Sequence, residues 1–202
     1  MSSQVVSLLQ RAVRGVITGL TLATTVVLAN PVAAAGDESR IFAQLPQGGV
    51  AVLLRHAQTV PGIGDPPGFK LGACETQRNL SAEGRAAAQK FGERLKQEAV
   101  TFTRVYSSQW CRCRDTATLI AGQTEDWPAL NSFFDDRSTE AKQSAEVRRR
   151  IAGIKRGETL LLVTHQVNIT AITGIVPAMG EAVVVRAGKG GAVEVVGRLA
   201  GG

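Results

Sequence analysis

The chain is 202 residues long, enough for one domain with a sizeable core and too short for two. A hydrophobic fraction of 44% against 20% charged excludes a wholly disordered chain, and 4% aromatics with 22 glycines suit a helix-covered sheet better than a β-sandwich. The formal net charge of +6 falls to +4 if residues 1–35, which carry Arg11 and Arg14 and no acid, are removed. That balance welcomes anionic ligands but does not argue for nucleic acid.

Residues 1–35 combine a positive start, an apolar run over 16–29, Pro31 and the small residues Val32, Ala33, Ala34 and Ala35. These are the parts of a secretory signal peptide cut near Ala35, which predicts a periplasmic or secreted mature domain over 36–202. The run is shorter than the roughly 20 residues a membrane span needs, so no stable membrane insertion is expected after removal.

A short polar lead-in, 36–47, precedes the apolar run 49–54, which reads as a strand buried on both faces. Residues 60–72 are rich in Pro and Gly and form a loop. Ser81 is a plausible N-cap for a helix with Ala86, Ala87, Ala88, Phe91 and Leu95 on its apolar positions. A weaker strand follows at 101–107, then helices at 113–121 and 139–154, the latter ending in Arg148, Arg149 and Arg150 as a solvated face. Residues 159–164 repeat the buried-strand pattern. Residues 182–186 and 193–196, around Gly188 to Gly191, read as a hairpin at a sheet edge. The alternation predicts a three-layer α/β/α sandwich with a mainly parallel central sheet and a C-terminal edge hairpin.

Export permits a disulfide among Cys74, Cys111 and Cys113. Cys111 and Cys113 are too close to pair comfortably, so Cys74 is expected to bridge to one of them. Three cysteines without a nearby histidine make a poor zinc set.

The chain holds two histidines, His56 and His165, each just past a buried strand. Open α/β sheets bind ligands beyond the carboxyl ends of their strands, so matching positions predict one shared site. Arg55 precedes His56 after five apolar residues, and the third strand delivers Arg112 and Arg114 to the same edge. Guanidinium groups grip phosphate through paired, charge-assisted hydrogen bonds, so the pocket suits an oxyanion. Either Arg112 or Arg114 could instead pair with a nearby acid such as Asp115.

LLRHAQT (53–59), RNLSAEGRAAAQ (78–89), YSSQWCRCRDTA (106–117) and VTHQVNI (163–169) together resemble the histidine phosphatase superfamily, which includes cofactor-dependent phosphoglycerate mutase. Ala57 and Gln166 stand where that family commonly has glycine. The resemblance puts the second phosphate-binding arginine on Arg112. It implies a phosphomonoesterase of the histidine acid phosphatase type, in which neutral His56 attacks phosphorus while Arg55, Arg112 and a protonated His165 bind the phosphate oxygens. No metal or other cofactor is implied. The proton donor to the leaving oxygen is expected among Asp135, Asp136 and Glu140, with Asp136 favoured. A mutase is disfavoured by the export signal and by the short span between motifs. Exported relatives point to a sugar phosphate or similar small phosphomonoester, or to a lipopolysaccharide-linked phosphate ester. An inactive exported phosphate-binding or sugar-phosphate-binding module is the alternative.

Overall fold

The computed structural model describes residues 31–201, with side chains from residue 37 onward. The signal peptide expected over 1–35 therefore lies outside the described residues, except for its last five, which open the first helix. In chain order the elements are α1 (Pro31–Gln44), β1 (Val50–Arg55), α2 (Ala82–Gln97), β2 (Arg104–Ser107), α3 (Cys111–Ala121) and β3 (Glu125–Asp126). They continue with α4 (Glu140–Ala152), β4 (Thr159–Thr164), α5 (Gln166–Thr173), β5 (Ala182–Ala187) and β6 (Val193–Leu199).

The six strands form one sheet in the order β3-β2-β4-β1-β5-β6. β3, β2, β4 and β1 run parallel, and the β5–β6 hairpin adds on antiparallel. Side chains alternate across the central strands, so each strand feeds two cores. Val50, Val52 and Leu54 of β1, with Leu161 and Val163 of β4, pack in one core with residues of α1, α2 and α3. Ala51 and Leu53, with Leu160 and Leu162, pack in the other with residues of α4 and α5. This is why 50–54 and 160–163 are apolar throughout: neither face meets water.

Two segments depart from the sequence reading. The polar lead-in is the end of a helix, with Ile41, Phe42 and Leu45 buried in the core. Arg94 of α2 lies over the Phe42 ring at 4.5 Å and hydrogen-bonds Glu38 at 2.7 Å, and Glu38 accepts from the Ala200 amide. α1 thus lies over β6, an edge strand that needs such cover. The second departure is α5, which the pattern did not reveal because QVNITAIT is rich in residues with modest helix propensity. Burial of Val167, Ile169 and Ile172 and the left-handed cap at Gly174 hold it helical. Arg148 is also less solvated than expected, since it donates to the Ala171 carbonyl near the end of α5.

Ser81 caps α2 as predicted, its Oγ accepting from the Gly84 amide at 3.0 Å. The helix start is pressed against the segment after His56: a Cβ on Gly84 would stand 2.0 Å from the Gln58 carbonyl oxygen. That oxygen also accepts from the Ser81 amide, so it cannot move freely. Gly84→Ala is therefore expected to cost about 1–3 kcal/mol of unfolding free energy, the usual range for overpacking. Chemical denaturation measures this, and a wild-type midpoint would disprove the close approach.

Candidate active site

The β1–β4 register pairs Arg55 with Thr164, so the next residue on each strand is a histidine. The His56 amide donates to the Thr164 carbonyl at 3.0 Å, and the two imidazole rings meet edge to face with centroids 5.5 Å apart. His56 Nδ1 lies 2.9 Å from the Ala57 carbonyl oxygen. A carbonyl only accepts, so Nδ1 carries the hydrogen and Nε2 keeps its lone pair. Burial, and then the Arg112 charge, push the His56 pKa down to about 3, so the ring is neutral at physiological pH.

Three arginines converge on the histidines and line, with them, a cavity of about 250 Å³. Arg55 donates to the Pro177 carbonyl at 2.8 Å. Arg78, which the sequence reading left out of the site, donates to Thr59 Oγ1 at 2.8 Å and to the Gly62 carbonyl at 2.7 Å. Arg112 carries the third guanidinium. The Nε of all three is buried without a protein partner. Buried donors are nearly always matched, so three unmatched ones at one cavity are what an oxyanion site presents.

Asp65 is the other residue the sequence reading missed. It comes from the loop 60–72, and its carboxylate takes Arg112 at both ends, with Nη1 at 2.7 Å and Nη2 at 3.1 Å. It also accepts from Trp110 Nε1 and from the Arg78 amide, both at 2.9 Å. The Arg112 and Asp65 side chains are 5% and 4% exposed. Burial opposes ionisation of Asp65, but the hydrogen bonds from Arg112 and the Arg78 amide outweigh it and hold the carboxyl below its ordinary range. A disulfide between Cys74 and Cys111 ties the end of this loop region to the start of α3, next to Arg112. It resolves the open pairing in favour of Cys111 and leaves Cys113 buried and free.

His165 is fully enclosed, with Nε2 2.8 Å from Ser108 Oγ and 3.5 Å from Cys113 Sγ. Burial, then the neighbouring His56 and Arg112, lower its pKa well below the ordinary value. In the ligand-free site it is therefore neutral, whereas the sequence reading expected it protonated with phosphate bound. Arg114 stands apart from the cavity and pairs with Asp126. Asp136, the favoured proton donor, is exposed, accepts from the Ser138 amide, and does not line the cavity. Glu140 pairs with Arg137, and Asp135 alone of the three lines the cavity wall. Asp135 lies at a bend on the cavity wall, whereas Asp136 turns away to cap the short helical turn Arg137–Thr139.

Residues 51–141 match the family model described as histidine phosphatase superfamily (branch 1). Over those residues the sequence is similar to the histidine phosphatases, and the fold is of the same type as theirs. The fold is similar to that of the protein histidine phosphatase SixA complexed with tungstate, at 16% identity and a TM-score of 0.55, covering 75% of this chain and 96% of that one. It is similar to Bacillus stearothermophilus YhfR at 18% identity and 0.52, covering 73% and 95%. A mutant phosphoserine phosphatase from Entamoeba histolytica in complex with phosphoserine aligns at 14% and 0.51, covering 74% and 95%. At such identities the likeness carries the fold and leaves the substrate to the site itself. No curated protein matches the chain significantly. Neither departure from the histidine phosphatase motif strains the backbone. Among the described non-glycine residues only Ala99 has a positive φ, Ala57 hydrogen-bonds Thr116 Oγ1 through its amide, and Gln166 begins α5.

Two outcomes are expected. Asp65→Ala leaves a buried guanidinium without its counter-charge and should cost about 3–5 kcal/mol in denaturant unfolding; a cost below about 1 kcal/mol would show that the pair is not buried in solution. Both histidines have depressed folded-state pKa values, so the unfolded chain binds the extra protons. Their contribution is complete above about pH 6.5 and is lost as pH falls toward the folded values, near 3 for His56. Stability should fall by about 1.4 kcal/mol per pH unit for each histidine, and less steeply in His56→Asn. An unchanged slope in that variant would contradict the neutral, buried imidazole.

Proposed function

We propose that the chain is an exported phosphomonoester hydrolase that works through a phosphohistidine on His56. The observation that carries this reading is the state of that ring: neutral, with its Nε2 lone pair free, beside three guanidiniums whose Nε donors lack partners.

The ester enters with its phosphate toward Arg55, Arg78 and Arg112. His56 Nε2 attacks phosphorus, a P–N bond forms, and the bond from phosphorus to the leaving oxygen breaks. The arginines and His165 hold the three equatorial oxygens and balance charge as it builds. The guanidiniums supply the positive charge, so no metal is required by this scheme. The leaving oxygen takes its proton from Asp135, the one sequence candidate on the cavity wall. Asp135, ionised by that transfer, takes a proton from the water that attacks the phosphohistidine, so inorganic phosphate leaves and both His56 and Asp135 are restored.

Export to the periplasm or beyond is supported by the signal-like composition of residues 1–35 and by the Cys74–Cys111 disulfide, which persists in an oxidising compartment. Removal of 1–35 leaves the core-forming part of α1 in place, since Ile41 and Phe42 lie beyond the cut. The substrate is a small phosphomonoester, within which an envelope sugar phosphate was the expectation from the sequence.

Phosphate release from a panel of phosphomonoesters, in EDTA and beside His56→Ala, tests the reading. Release should survive EDTA and fall at least about a thousandfold in the variant, as expected for loss of a nucleophile. Quenching in alkaline detergent after a labelled substrate should trap phosphate on the protein in a base-stable form that acid then releases. Turnover that persists in His56→Ala would displace the nucleophile, and phosphate binding without turnover would favour a binding module.

A further inference from the structure

The polar floor of the cavity is matched by an apolar mouth. Among the described residues the large apolar side chains left exposed are Val60, Ile63, Phe134, Val176, Met179 and Val195. Ile63, Phe134 and Met179 all line this one cavity. Single exposed apolar residues are ordinary, but three gathered at one opening from three separate segments are not. Ile63 is 92% exposed at a loop tip between Gly62 and Gly64, both at positive φ, with Arg78 holding the Gly62 carbonyl. Phe134, 56% exposed, comes from the segment before α4, and Met179 from the segment before β5. Val167 of α5 and Trp110 extend the apolar wall inward.

Charge is sorted along the same axis. The cations of the lining, Arg55, Arg78 and Arg112, surround the histidines, whereas Asp135 lies beside Phe134 in the exposed segment before α4. An organic group carrying a second phosphate or a carboxylate would find no further lysine or arginine in the lining to receive it, and Asp135, protonated or ionised, offers it no positive charge. Ser132 and Gln166 are the neutral polar side chains of the wall, too few to match the hydroxyls of a sugar.

We propose that the site selects phosphomonoesters of uncharged, apolar alcohols, alkyl or aryl, in preference to sugar, polyol or carboxylate-bearing phosphates. The inference rests on the phosphatase reading for its chemistry but not for its recognition. The phosphate is held by the floor, and the hydrocarbon group lies against Ile63, Phe134 and Met179. A tenfold preference, about 1.4 kcal/mol, needs roughly 55 Å² of apolar burial, less than one phenyl ring offers.

Phosphonates keep the charge of the phosphate and cannot be hydrolysed, so they read recognition apart from catalysis. Calorimetric titration of the protein would compare hexylphosphonate and phenylphosphonate with 2,3-dihydroxypropylphosphonate, with methylphosphonate as baseline. The two apolar probes should bind at least tenfold more tightly than the dihydroxy probe. The double variant Ile63→Ser, Phe134→Ser should cut that ratio below threefold and leave methylphosphonate affinity within twofold. Equal affinities, a preference for the dihydroxy probe, or a ratio that survives the double variant would each overturn the inference, as would failure of all four probes to bind. The expected ratio with no hydrolysis of p-nitrophenyl phosphate would sustain it and sink the phosphatase reading instead.

Discussion

Everything at the site depends on the parallel pairing of β1 with β4 in a single register. Because Arg55 stands opposite Thr164, the two chains leave the sheet together and present His56 and His165 within ring contact. Sliding either strand by one residue would turn its inward side chains to the other face and separate the histidines. The register is fixed by burial, since both strands are apolar on both sides and any slip would mismatch two cores at once. The precision of the histidine pair is thus inherited from the hydrophobic packing beneath it.

On that frame the chain assembles three guanidiniums in a space that strongly disfavours them. Burial and mutual repulsion lower the pKa values of Arg55 and Arg78 from their ordinary position. Asp65 makes the cluster tolerable by neutralising Arg112 across its terminal nitrogens, while the Nε edge stays unmatched. The same carboxylate accepts from Trp110 Nε1 and the Arg78 backbone amide, so one acid ties a cation, an aromatic wall and the chain at Arg78 together. Burial, with the field of this cluster added to it, keeps both histidines neutral.

Strand positions could be read from the sequence because β1 and β4 are continuous apolar runs, and α2 because Ser81 and its following alanines obey capping and periodicity. α5 could not, because its helical state comes from packing on α4 and the sheet against the preferences of its residues. The residues at the strand ends were likewise visible: Arg55, His56 and His165 follow apolar runs that define where they emerge, and the family pattern distinguished Arg112 from Arg114. Asp65 was invisible because a lone acid in a Pro- and Gly-rich loop carries no periodicity, and its importance arises only when the loop folds back on α3. Asp135 and Asp136 show the same limit at finer scale, since one residue of register decides which of two adjacent acids faces the cavity.

The bond between Cys74 and Cys111 closes a loop of 37 residues that spans α2 and ends one position from Arg112. On chain-entropy grounds such a closure is worth about 4 kcal/mol. Where thiols are kept reduced, the roof of the cavity would lose this covalent tie and keep its hydrogen bonds to Asp65, Gln77 and Arg78 and the Phe69–Trp110 ring contact. Completion of the cavity is thus tied to redox conditions: oxidation of one thiol pair acts as a safety catch that locks the roof in place.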